Sequence, residues 1–134
     1  LVGWGSNKRI SEIGADGEVL FDMTFDETPL NSYRARKAQW MGIPKFRPAI
    51  ASKRTADGGT VWASWNGSTQ IRRWRVLTGP GPKALKGIGT HPWRNLETAM
   101  TTGKLGRVVG VQALNGKGEV IGRSKVIAVG KQAR

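Results

Sequence analysis

GTVWASWNGSTQIRRWRVLTG, residues 59–79, is the stretch on which the fold turns. It reads as two strands joined by a polar turn. Val61, Ala63 and Trp65 alternate on one side of the first run, and Asn66-Gly67-Ser68-Thr69 carries turn chemistry. Residues 71–77 form a second β-rich run that closes on Thr78-Gly79-Pro80-Gly81-Pro82. Read as a hairpin, the stretch places Trp65 and Trp74 in a core, where such an indole buries on the order of 200 Å2. Strand side chains alternate faces, so Arg73 and Arg75 are expected to point outward. An aromatic all-β core with a basic outside follows.

Working outward, residues 49–53 are expected to be the first strand of a second domain, with Asp57-Gly58-Gly59 turning into the hairpin. Beyond Pro82, residues 83–89 read as a short edge segment and His91-Pro92 as a turn. Residues 95–101, 107–114 and 120–129 read as three further strands, the last two joined by Asn115-Gly116-Lys117-Gly118. Many short strands spaced by turn signals make an immunoglobulin-like or fibronectin type III-like sandwich. Upstream, residues 1–5, 9–13 and 18–25 read as a three-strand meander with Val19, Phe21, Met23 and Phe25 on one face. A meander of this size leaves an open edge and buries little, so it is expected to be part of a propeller-type sheet whose neighbours lie elsewhere. Residues 26–31 form a loop and residues 32–40 (SYRARKAQW) an extended basic run. The expected organisation is a partial propeller piece with linker over 1–46, a sandwich over 47–130 and a frayed basic tail over 131–134.

At 134 residues with 38% hydrophobic content, the chain holds one domain, or a small domain and a piece of another. It has no cysteine, which excludes disulfides, thiolate metal sites and thiol nucleophiles. No apolar run reaches the roughly 18 residues of a membrane span, and no signal-peptide pattern opens the chain. Leu1 starts in mid-strand, so an upstream segment is expected. The net charge is +13, and its placement matters more than its size. Residues 1–46 balance six basic groups with six acids, whereas residues 47–134 carry sixteen basic groups against Asp57, Glu97 and Glu119. Such a field attracts polyanions: nucleic acid, acidic or sulfated glycan, or an anionic surface.

These residues also carry a resemblance. VGWGSN (2–7), ADGEVLFD (15–22), SYRAR (32–36) and the Trp40, Gly42, Pro44 spacing resemble the C-terminal part of arylsulfotransferase-like proteins. So do ASWNGSTQIRRWRVLTGP (63–80), ETA (97–99) and VGVQALNGKGEVIG (109–122), in order along nearly the whole chain. The resemblance implies the end of a β-propeller followed by a fibronectin-like sandwich, and an extracytoplasmic or secreted location. It implies a complete protein that moves a sulfuryl group between phenols through a propeller histidine, with no cofactor. The chain's one histidine, His91, matches no catalytic position, and Lys8 stands where the family usually has proline. The implied role is therefore a non-catalytic C-terminal portion that needs the missing propeller, supplied either by a larger partner chain carrying the rest of it or by lost sequence.

No catalytic residue is assigned. His91 reads as a surface-turn histidine without a carboxylate to orient it. Asp22, Asp26 and Glu27 read as solvated acids, not a metal site, and residues 79–82 (GPGP) lack the lysine and helix of a phosphate loop. In the first part, Tyr33, Arg34 and Arg36 are candidates to contact an anionic substrate; the competing reading pairs the arginines with Asp22 and Asp26. In the second part, Arg72, Arg73, Arg75, Arg107, Arg123 and Lys125 are candidates for one basic sheet face. Arg73 with Arg75, and Arg123 with Lys125, have the spacing that shares a face, and Trp62 or Trp93 is the candidate stacking partner. A free-standing basic sandwich that binds polyanions is thus the alternative function. A third reading, a basic nuclease, finds no His/Glu/Asp arrangement for acid–base work.

Overall fold

A computed structural model describes residues 1–26, 32, 34–130 and the backbone of 132–133. Tyr33 and most of the 26–31 loop lie outside the described residues. Strands are the only regular elements among the described residues, as the all-β reading expects. The chain divides into two compact units, Leu1–Trp40 and Met41–Arg134, a boundary earlier than the expected 46/47. Gly42 belongs to the second unit because its N–H donates to Thr69 Oγ1 at 2.9 Å and its carbonyl accepts from the Thr69 N–H at 3.2 Å.

In the first unit, β1 (Val2–Gly3), β2 (Arg9–Ile13) and β3 (Val19–Thr24) form an antiparallel sheet in that order. This is the expected meander. Its register slips once, so that Glu12 faces Phe21 while Ile13 faces Val19, and Leu20 is the extra residue of a bulge. Among its described residues, 32 and 34–40, the basic run is not a strand: it makes one bridge, Ser32 to Gly5, and no further ladder. A Cβ placed on Gly3 would sit 3.4 Å from the Ala35 nitrogen, so the run passes close to β1 without pairing. Lys8 holds φ at 49°, which the ring of a proline forbids.

The second unit has two antiparallel sheets. One is β12 (Gln132–Ala133), β4 (Ala49–Thr55), β5 (Gly58–Ser64) and β8 (Glu97–Thr102), in that order. The other runs β10 (Val120–Arg123), β9 (Val108–Leu114), β6 (Arg73–Gly79), β7 (Lys86–Pro92), with β11 (Ile127–Ala128) also on β9. Inward positions of both sheets meet in one cluster: Ile50, Val61, Ala63 and Met100 from the first, Trp74, Val76, Val109, Val111 and Ala113 from the second. Trp65 and Trp74 are both in this core, as the alternation implies.

The hairpin reading of residues 59–79 is wrong. β5 and β6 never pair; β5 lies between β4 and β8, and β6 between β7 and β9. Residues 65–72 carry the chain from one sheet to the other. The Asn66-Gly67 turn is real, with Gly67 at φ 81° and Ser68 N–H bonded to the Trp65 carbonyl, but it is only a local bend. Trp65 and Ile71 are both buried within the connection, which therefore closes the end of the core. β5 instead forms a hairpin with β4, Thr55 opposite Gly58, and β6 pairs with the strand that follows it, β7.

Three further expectations change. His91-Pro92 is not a turn but the end of β7, with His91 opposite Trp74. Residues 120–129 are two strands, because the chain leaves the β9 ladder at 124–126. The terminal residues 132–133 are not frayed but pair with Ala51 and Ile50.

Candidate polyanion face and cavities

Cross-strand register brings part of the expected basic face together. Arg123 on β10 lies opposite Gln112 on β9, which lies opposite Arg75 on β6, which lies opposite Thr90 on β7. Arg75 Nη1 donates to Gln112 Oε1 at 3.3 Å, so the central neutral amide spaces two guanidinium groups. Strands lie about 4.8 Å apart and residues two apart on a strand about 7 Å, which puts Arg123, Arg75 and Arg73 on one face at about 7–10 Å intervals. β6, β7, β9 and β10 contain no acidic residue. Among the described residues both ion pairs lie in the first unit, so the cations of this sheet have no carboxylate partner.

The other candidates separate. Arg72 precedes β6 and turns its Nη1 onto the carbonyls of Thr69 (3.0 Å) and Ile71 (2.8 Å). Lys125 lies where the chain has left the ladder, so the alternation that would align it with Arg123 does not apply. Arg107 stands before β9, at the opposite end from Leu114, with its N–H on the Gly79 carbonyl. Trp62 is half-buried on β5 of the other sheet, whereas Trp93 is exposed.

In the first unit, Arg34 and Arg36 line a shallow cavity of about 440 Å3 with Ile10, Glu12, Phe21 and Met23. Asp22 goes elsewhere: its Oδ1 accepts from Arg9 Nε at 2.8 Å and from Ser11 Oγ at 2.7 Å, and the Ser11 oxygen accepts from Trp4 Nε1 at 2.9 Å. The Arg9 bond, then the Ser11 bond, hold the Asp22 carboxyl below its ordinary range, and the Asp22 bond raises Arg9 further. Lys37 pairs with Glu12. β3 presents Val19 at 57% and Phe21 at 49% exposure, with Leu20 and Met23 also exposed.

No group of three or more His, Cys, Asp or Glu is placed to hold a metal among the described residues. No helix there is long and apolar enough to cross a membrane. His91 is half-buried within β7, away from any carboxylate hydrogen bond.

Two features escaped the sequence reading. Arg54 forks onto the carbonyls of Leu105 and Gly106, both at 2.6 Å, an anchor no local spacing encodes. A cavity also opens between residues 65–68 and the loop of Trp93, Asn95 and Leu96. Its one sequence signal is an exposed-type tryptophan set among Pro92, Arg94 and Asn95. Compared with known proteins, the chain matches no protein-family model, no curated protein and no solved structure.

Proposed function

We propose that the chain is a non-catalytic C-terminal portion of an arylsulfotransferase-like protein, completed by propeller strands on a larger chain. The observation that carries this reading is the β3 face. Exposing Val19, Leu20, Phe21 and Met23 together on a three-stranded sheet leaves apolar area that a neighbouring blade would cover. The pairing orders support the sandwich part: β4-β5-β8 and β10-β9-β6-β7 partition as strands A, B, E and G, F, C, C′ of a fibronectin type III-like module. His91, half-buried within β7 opposite Trp74, has no carboxylate hydrogen bond among the described residues, which supports a non-catalytic reading. The test is sulfuryl transfer from 4-nitrophenyl sulfate to a second phenol. The native particle is expected to catalyse it and the chain alone is not; a native particle without this activity would overturn the reading.

A second reading is favoured by the acid-free sheet. The Arg123–Gln112–Arg75 row with Arg73 is a basic face that attracts polyanions whatever the chain's assembly.

A further inference from the structure

A cavity of the second unit lies beside Trp93. It encloses about 320 Å3 between residues 65–68 and the loop carrying Trp93, Asn95 and Leu96. Trp93 lines it and is 41% exposed, while Trp65, also in its wall, is buried. One indole is therefore accessible to a ligand. Asn66 and Asn95 line the same space, and neither side-chain amide has a hydrogen-bond partner among the described residues.

The loop is held, not loose. Thr98 Oγ1 accepts from the Arg94 N–H at 3.0 Å, donates to the Arg94 carbonyl at 2.9 Å and accepts from buried Trp74 Nε1 at 3.2 Å, which uses its whole bonding capacity. Asn95 sits at φ 53°, the left-handed region that asparagine tolerates better than most side chains. Outside the cavity wall, arginines neighbour the loop along the backbone: Trp93 N–H bonds the Arg72 carbonyl at 2.9 Å, Arg73 lies opposite Pro92, and Arg94 follows Trp93 directly. Glu97, at the start of β8, is the one nearby acid in sequence.

We propose that this cavity binds an acidic polysaccharide. The apolar face of one sugar ring lies against Trp93, and Asn66 and Asn95 exchange hydrogen bonds with its hydroxyls. Arg73 and Arg94 meet its carboxylate or sulfate groups, which a guanidinium engages in bidentate fashion. Single-stranded nucleic acid is held on successive aromatics along a track; here one accessible indole stands in a partly open cavity with neutral amides in its wall. The site requires neither the completing role of the chain nor the Arg123–Gln112–Arg75 row, and shares only Arg73 with the basic sheet face.

The test titrates the full chain with a heparin-derived hexasaccharide, followed by tryptophan fluorescence and calorimetry, and with oligothymidylate in parallel. Trp93→Ala and Asn66→Ala should each weaken hexasaccharide binding about tenfold or more, Trp93→Phe should retain most of it, and the Arg75→Glu/Arg123→Glu pair should change it by less than about threefold. Thermal unfolding checks that each variant folds, and Asn66→Ala carries the test if Trp93→Ala does not. Undiminished binding by the folded cavity variants, loss confined to the Arg75/Arg123 pair, tighter binding of oligothymidylate, or no hexasaccharide binding would each overturn the proposal.

Discussion

Trp74 Nε1 on β6 donates to Thr98 Oγ1 on β8 at 3.2 Å, so one hydrogen bond crosses the interior and joins the two sheets of the second unit. Both residues are buried, and the same hydroxyl fixes the Arg94 backbone. The bond therefore links the core to the loop that bears Trp93.

Thr98→Val keeps the shape but strands the indole N–H and the Arg94 backbone. A cost of about 1–3 kcal/mol per buried unsatisfied group is expected, read as a lowered midpoint in urea unfolding. Thr98→Ser should restore most of it. A valine variant as stable as the parent would show that the crossing bond contributes nothing.

Gly122 on β10 lies against the Trp65 ring: an added Cβ would be 2.7 Å from Cη2. The ring is pinned by its Nε1 bond to the Phe46 carbonyl at 2.8 Å and cannot retreat freely. Gly122→Ala is expected to destabilise by about 1–3 kcal/mol through overpacking, with a shift in tryptophan emission. Gly116→Ala, in open space, is the control and should be near neutral.

Acid should loosen the first unit before the second. Asp22 is depressed by Arg9 and Ser11, so its contribution is present above the unfolded carboxylate range, near about pH 4, and disappears as pH falls through the folded value. The protection factors of the β2–β3 amides, taken against the intrinsic exchange rate at each pH, should fall on acidification, and Asp22→Asn should remove that fall. A variant with the parent's profile would assign the effect to another group.

Reversing Arg75 and Arg123 to glutamate removes two unpaired cations from the acid-free sheet. Retention on a sulfated polysaccharide column should fall, with a shallower salt dependence, each lost phosphate-like contact changing the slope by about one. Reversing Arg107, at the far end of β9, should matter less. Equal effects would mean that net charge, not this row, drives retention.

How much was legible in the sequence is clear from particular residues. Period-two alternation placed Val61, Ala63 and Trp74 inward and Arg73 outward, because burial on a pleated strand is local information. Partnership is not local. Asn66-Gly67 bends the chain equally well in a hairpin or in a crossover, and only the burial of Trp65 and Ile71 distinguishes the two. The Arg75–Gln112–Arg123 row depended on register across three strands, of which the arginines were anticipated and the glutamine was not. Lys125 failed because a strand break at 124–126 interrupts the alternation on which the reading relied. The Trp93 cavity was hidden because its two walls are 25 or more residues apart in sequence.

The β3 face is the centre of the account, and the native particle tests it most directly. Size-exclusion light scattering of the particle from its source, with intact mass of its chains, should give a species several times 14.6 kDa in which these strands are completed by a larger polypeptide. A particle made of this chain alone, at 14.6 kDa, would contradict it.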